Sequence, residues 1–219
     1  MISAVFERIK TDTAFRIKLF LRLSFIFNIA YSFFLFVVSQ IYSSKWFLTM
    51  SIYYGLLSVA RIFVYLQISK QKKLISKIKT MRACGYFLLF INLVFSTMIF
   101  ILIFGNQYVK HHEIIVITLA TYTFTSLTMA IINSIKYLRK KDYLYSSAKI
   151  LSLISASVSI VTLTNTMLCT FGENNLLLRS IILPILSGFV SIFIILCAIF
   201  MIRKTNSDLR NLKNEKERK

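Results

Sequence analysis

Arg61 is the residue of this sequence best placed to do chemistry, because it lies inside a long apolar segment. It stands in the middle of "LLSVARIFVYL" (residues 56–66), where a permanent positive charge is costly in a membrane helix. Its guanidinium group is a planar fork of donors that matches carboxylate and phosphate oxygens. Tyr54, Ser58 and Tyr65 recur with it at steps of three and four residues. This spacing predicts a polar stripe along one face of a helix.

Three roles for Arg61 are open from the sequence. It could clamp the helices together through tyrosine hydroxyls, asparagine side chains and backbone carbonyls. It could line a polar cavity open to the cytoplasm and bind an anion, a carboxylate or a lipid phosphate. It could also snorkel toward the inner surface, although helix side chains lean toward the N-terminus and therefore away from that surface.

The candidate site extends beyond the stripe that carries Arg61. The fourth apolar segment has a hydroxyl-rich face with Tyr122 and Thr125, and Asn133 follows further along. The predicted polar cavity, or anion contact, therefore comprises Arg61, Tyr54, Ser58, Tyr65, Tyr122, Thr125 and Asn133. The fifth apolar segment carries a Ser and Thr stripe at helical spacing (Ser152, Ser155, Ser159, Thr162 and Thr166), and such stripes are usually packing seams.

Other reactive residues do not form a recognisable site. All eight acidic residues and both histidines lie outside the apolar segments, so coupling to protons or sodium ions has no candidate residue. Adjacent histidines in His111-His112-Glu113 point in different directions, and Cys84, Cys169 and Cys197 are isolated, so we expect no metal site and no disulfide. No catalytic or cofactor-binding motif is present. We therefore expect no catalytic residues, no cofactor and no enzymatic activity.

The elements that must position these residues are apolar blocks long enough to cross a lipid bilayer. The chain of 219 residues is 57% hydrophobic and has one proline, and its mean hydropathy is +0.70. Blocks of about 20 apolar residues are typical of transmembrane helices. The sequence predicts an all-α, polytopic membrane protein with six spans, at 19–43, 46–69, 83–104, 114–136, 149–170 and 179–202.

Basic residues mark one side of the predicted bundle. The net charge of +19 is concentrated before the first span, in every second connection and in the tail. This positive-inside pattern predicts that both termini lie in the cytoplasm and that the basic rim attracts anionic lipid headgroups rather than nucleic acid. We predict an amphipathic N-terminal segment (1–18), a membrane domain (19–202) and a charged tail (203–219) that extends the last helix for a few turns and then frays.

Weak internal repetition suggests three helical hairpins. "FGNQ" (residues 104–107) and "FGEN" (residues 171–174) both end an outgoing span, and Asn28-x-x-x-Ser32 resembles Asn92-x-x-x-Ser96. Such repeats would share one orientation in the membrane. Convergent hairpin sequences would give the same pattern.

One region resembles a known group of proteins. "YTFTSLTMAIINSIKYLRKKDYLYSSAKI" (122–150) and "LTNTMLCTFG" (163–172), within the six-span layout, are similar to small uncharacterised six-helix membrane proteins of low-GC Gram-positive bacteria. The resemblance implies a bacterial cytoplasmic (inner) membrane and brings no activity or functional residues with it.

Two functions follow as expectations. The first is a non-catalytic membrane component, working as a partner or accessory subunit that contacts another protein or a second copy of itself. The second is a transporter for a small molecule or ion, or its substrate-binding subunit, with the Arg61 stripe lining the site. A cavity at Arg61 would favour the second, and a stripe sealed by packing would favour the first.

Overall fold

Six long helices make up the described part of the chain. The computed structural model describes residues 13–69, 74–104, 113–137, 142–171 and 176–217, and no strand occurs within these ranges. The helices are α1 (Thr13–Tyr42), α2 (Lys45–Ser69), α3 (Leu74–Phe104), α4 (Glu113–Tyr137), α5 (Tyr143–Phe171) and α6 (Leu176–Glu217). Each contains a stretch long and apolar enough to cross a membrane. The predicted all-α, six-span membrane fold is confirmed.

Several helices run beyond the apolar blocks that predicted them. α3 begins at Leu74 rather than at 83, and α5 begins at Tyr143 rather than at 149. Hydropathy locates the lipid-facing part of a helix, while the helical backbone continues through the basic residues beside it. α6 is helical as far as Glu217, so the described part of the charged tail is an extension of α6. Residues 1–12 of the predicted amphipathic segment lie outside the described residues.

Helices α2 and α5 form the centre of the bundle. About two thirds of the apolar window of α5 (67%) and 56% of that of α2 are buried, against 22% for α4. The small hydroxyl residues of α5 allow it to lie at the centre, because they let neighbouring helices approach closely. Its Ser and Thr stripe is buried along its whole length (Ser152, Ser155, Ser159, Thr162 and Thr166).

The helices pair in a different order from the one that the hairpin pattern predicts. The most extensive contacts join α1 to α2, α3 to α6, and α4 to α5. Among the described residues, only the first of the three expected hairpins is also a closely packed pair. The α3–α6 contact is close at Gly85, where a Cβ atom would lie 2.8 Å from Cγ1 of Ile202 and 3.2 Å from the carbonyl oxygen of Ala198. The "FGNQ" and "FGEN" connections lie almost wholly outside the described residues.

The α1–α2 pair is joined by hydrogen bonds and a tight turn. The Ser32 hydroxyl donates to the Ser51 carbonyl oxygen (2.8 Å), and the Ser51 hydroxyl donates to the Ser32 carbonyl oxygen (2.9 Å). Between the helices Ser43 adopts a left-handed conformation with φ of 46°, which is a common way to end a helix.

Polar contacts gather the basic ends of the helices at one side of the bundle. Arg22 at the start of α1 donates to the Tyr65 hydroxyl near the end of α2 (2.6 Å). Lys77 at the start of α3 forms an ion pair with Asp142 (2.9 Å), and the Tyr143 hydroxyl donates to Asp208 in α6 (2.9 Å). These contacts show that α2 runs antiparallel to α1, that α3 and α5 run parallel, and that α6 runs antiparallel to both of them.

Candidate functional site

Arg61 lies in the interior of the bundle and joins three helices. Its side chain belongs to α2 and is only 3% exposed. Nη1 donates to the carbonyl oxygen of Ser24 in α1 (3.1 Å), and Nη2 donates to that of Leu151 in α5 (3.4 Å). Nε has no hydrogen-bond partner. Because the guanidinium group is buried, it does not snorkel toward the inner surface. The other two roles, a clamp between helices and a residue that lines a cavity, remain open.

Asn28 of α1 is the second centre of the site. Its Oδ1 accepts hydrogen bonds from the Tyr122 hydroxyl in α4 (2.9 Å) and the Ser155 hydroxyl in α5 (3.2 Å). Its Nδ2 donates to the Ser24 carbonyl oxygen (2.7 Å), which also accepts from Arg61. The Asn28 side chain therefore links α1, α4 and α5 through hydrogen bonds. It also helps to fix the position of the Ser24 carbonyl oxygen, which accepts from Arg61.

Four tyrosines surround this polar centre on one side. The rings of Tyr31 and Tyr122 are stacked, with centroids 3.5 Å apart and planes 2° apart. The ring of Tyr54 meets both of them edge-on, at 4.7 Å from Tyr31 and 5.7 Å from Tyr122. Tyr53 meets Tyr54 edge-on at 5.7 Å. The edge-on arrangement of Tyr54 against its neighbours is a favoured geometry for aromatic pairs.

A small cavity with a mixed polar and apolar lining lies beside Arg61. It has a volume of about 20 Å³ and lies between α1, α2, α4 and α5, which is room for about one water molecule. Two exposed residues, Phe27 and Thr125, contribute to its wall, so the cavity lies toward the α1–α4 side of the bundle. Its lining comprises Ser24, Phe27, Asn28, Arg61, Tyr122, Thr125, Ser126, Met129 and Ser152.

The residues predicted for this site are only partly brought together. Arg61, Tyr122 and Thr125 line the cavity. Tyr54 lies in the tyrosine cluster, and the Ser58 hydroxyl donates to the Tyr54 carbonyl oxygen within α2 (2.9 Å). Two further predicted residues do not contribute described contacts to the cavity. Tyr65 accepts a hydrogen bond from Arg22 at the basic end, and the side chain of Asn133 lies outside what the structure describes.

The lining residues that sequence reasoning missed come from α1 (Ser24, Phe27 and Asn28), α4 (Ser126 and Met129) and α5 (Ser152). Ser24, Asn28 and Ser152 line the cavity, although the expected site drew on the second and fourth spans alone. A weak signal was present, since Asn28 is the only asparagine inside the first apolar block and polar residues in such a block point inward. Assigning it to the Arg61 site required knowledge of how α1 packs.

A larger cavity lies elsewhere and is apolar. It has a volume of about 270 Å³ between α2 and α3 and is lined by Val59, Ala60, Phe63, Ala83, Cys84 and Phe87. None of these side chains offers a charge or an amide, so hydrocarbon fits this groove and a polar solute does not.

Metal binding finds no support in the described residues. Within the described ranges, no group of three His, Cys, Asp or Glu side chains could hold a metal ion, and Cys84, Cys169 and Cys197 are free thiols. His111 and His112 lie outside the described residues.

Fold and site together define the class of this protein as a six-helix, multi-pass membrane protein with a buried arginine at its centre. No family model matches the chain, and no curated protein matches it significantly. The resemblance to small six-helix proteins of low-GC Gram-positive bacteria therefore stays a prediction, and function has to be argued from the geometry.

Proposed function

We propose that the protein is a non-catalytic component of a bacterial cytoplasmic membrane that docks against another membrane protein, or a second copy of itself, through the lipid-facing side of α4. Both termini lie in the cytoplasm in this proposal, where the basic rim meets anionic lipid headgroups. The exposed face of α4 is the observation that carries the proposal.

That face bears a row of threonines instead of the bulky apolar residues that usually face lipid. Thr118, Thr121, Thr125 and Thr128 recur at steps of three and four residues and are exposed. Each hydroxyl donates to the carbonyl oxygen four residues earlier, at 2.8–2.9 Å. The hydroxyls are therefore satisfied within α4, and the surface that they leave is small and smooth. Such surfaces let membrane helices approach one another closely.

The position of α4 in the bundle supports the same proposal. It has the smallest buried share of the six apolar windows, 22%, and its one extensive neighbour is α5. Ile117 (64% exposed) and Phe124 (67% exposed) lie beside the threonine row. A neighbouring helix packed into the row would meet these two side chains at its edges.

The size of the cavity argues against the transporter alternative. A solute carrier with an Arg61-lined site needs a chamber that holds its substrate, and small-molecule sites are commonly about 300–1,000 Å³. The cavity at Arg61 is about 20 Å³, and two guanidinium nitrogens are already bonded to backbone carbonyls. These contacts support Arg61 as a clamp that joins α2 to α1 and α5.

Site-specific photocrosslinking in native membranes tests the docking role. The photoreactive residue p-benzoylphenylalanine replaces Thr121 in one variant. In the control variant it replaces Ile192, a residue of α6 that is 59% exposed. We expect one discrete protein adduct from position 121 and none from position 192. The mass of the adduct distinguishes a second copy from a different partner. Lipid adducts alone at both positions would contradict the proposal.

A further inference from the structure

Arg61 is a buried cation without a countercharge among the described residues. The ion pairs found in that part of the chain are Lys77–Asp142 and Lys213–Glu217, and neither includes Arg61. The other described acidic residues, Glu113 and Asp208, also lie toward helix ends. An arginine side chain stays protonated in proteins, and an uncompensated charge inside a bundle costs several kcal/mol.

The hydrogen bonds of Arg61 compensate for only part of this charge. Two carbonyl oxygens accept from Nη1 and Nη2, the second at a long 3.4 Å, while Nε has no partner. The carbonyls are neutral dipoles, and the four tyrosines beside them are neutral at ordinary pH. A negative charge is still missing from the site.

The cavity beside Arg61 has the size and lining to hold that charge. Its volume of about 20 Å³ admits one water-sized particle, and a halide ion is close to a water molecule in size. Besides the guanidinium group, the hydroxyl-bearing side chains of Ser126 and Ser152 contribute to its wall, whereas the hydroxyl groups of Tyr122 and Thr125 already donate within the protein. A phosphate or an organic carboxylate would not fit.

We propose that this cavity binds a single small monovalent anion, such as chloride, as the structural counter-ion of Arg61. The anion would contact the guanidinium group of α2 together with walls contributed by α1, α4 and α5, and so hold the four helices together. A water molecule would fill the same space without neutralising the charge of Arg61. An anion is favoured over water because the attraction between opposite charges is strong in apolar surroundings. The inference goes beyond the docking role of α4 and does not depend on it.

Thermal unfolding of the full chain in an uncharged detergent tests the proposal. The melting temperature is measured in sodium chloride, bromide, gluconate and sulfate at equal ionic strength, so that general screening is constant. A ligand at ten times its dissociation constant should raise the melting temperature by about 3–6 °C. We expect a rise that saturates with salt concentration in chloride and bromide. Gluconate and sulfate ions are too large for the cavity and should give no saturating rise, while the general stabilising effect of sulfate grows steadily with its concentration.

Two variants assign the effect to the cavity. Arg22→Leu removes an exposed arginine of α1 that bonds to Tyr65, and we expect it to keep the full halide effect. Ser152→Thr adds a single methyl group, which is enough to occupy a cavity of about 20 Å³, and it leaves Arg61 in place, so we expect it to lose the halide effect. Arg61→Leu should also lose it. If that variant fails to fold, the comparison of Ser152→Thr with Arg22→Leu still decides the question.

Two results would overturn the inference. The first is the lack of a saturating rise of the wild-type melting temperature in chloride and bromide, which would mean that water alone fills the cavity. The second is a halide effect that Ser152→Thr retains in full, which would place the anion elsewhere on the protein.

Discussion

At the scale of single residues, the carbonyl oxygen of Ser24 is where two buried side chains meet. It accepts from Nδ2 of Asn28 at 2.7 Å and from Nη1 of Arg61 at 3.1 Å. One helix of the bundle thus supplies both the amide that links α4 and α5 and the backbone acceptor that holds the guanidinium group. Disturbing α1 near Ser24 should therefore affect the surroundings of Arg61 without any change in α2.

The two buried asparagines of α1 and α3 offer a matched comparison of their stabilising effects. Asn28 has partners in α4 and α5, while Asn92 accepts one bond across the bundle, from the Ser191 hydroxyl (3.2 Å). Interhelical hydrogen bonds in membranes contribute about 0.6 kcal/mol each on average. We expect Asn28→Leu to lower the free energy of unfolding by about 1–2 kcal/mol and Asn92→Leu by about half as much. Equilibrium unfolding in detergent measures both, and a larger loss for Asn92→Leu would count against the central place of Asn28.

At this scale the sequence predicts part of the candidate site. Residue spacing on single helices correctly points to a stripe around Arg61, and it brings Tyr122 and Thr125 into consideration. It places Tyr65 in the same stripe, although Tyr65 bonds to Arg22 at the basic end. It misses Ser24 and Asn28, because spacing describes one helix at a time. Which faces of two helices meet is decided by the packing of all six.

At the scale of helices, the contact between α3 and α6 depends on a missing side chain. A Cβ atom on Gly85 would come within 3.2 Å of a backbone oxygen of α6, whereas one on Gly188 would meet nothing within 4 Å. We expect Gly85→Ala to lower the free energy of unfolding by about 1–3 kcal/mol, as overpacking commonly does. Gly188→Ala should change it by no more than about 1 kcal/mol.

Gly55→Ala is a second control for this experiment. Its nearest neighbour would be the Ser32 hydroxyl at 3.5 Å, which is an ordinary van der Waals contact. The same unfolding measurement applies to all three variants. Equal stabilities for Gly85→Ala and Gly55→Ala would show that α3 and α6 are not held at the distance seen in the structure.

The sequence predicts the helices better than their pairing. Long apolar blocks mark all six spans, since crossing the lipid requires about 20 such residues. The same hydropathy cannot show that α3 starts at Leu74, because the basic residues there are helical without being apolar. Nor does it show that α3 packs on α6, since apolar faces of similar composition could pair in several orders. Gly85 leaves the space that α3 needs to pack on α6, but a single glycine is a weak signal in one sequence.

At the scale of the whole molecule, the proposed orientation has a direct test. We expect alkaline phosphatase, which is active only outside the cytoplasm, to be active when fused after residue 107 or 174 and inactive when fused after residue 219. The reason is that the basic connections remain inside. A fluorescent protein that folds only in the cytoplasm serves as the reciprocal control. Phosphatase activity after residue 219 would reverse the orientation and move the basic rim to the outer surface.

The pairing of α3 with α6 has a consequence for how the protein is made. A ribosome completes α3 at Phe104, but α6 begins only at Leu176. At about 5–20 residues per second, α3 waits several seconds in the bilayer with its glycine-bearing surface uncovered. Until the last segment arrives, that surface is open to unrelated neighbours in the crowded membrane. The nascent chain is therefore most vulnerable to misassembly and proteolysis during this interval, and a truncated product that lacks α6 should be degraded rapidly.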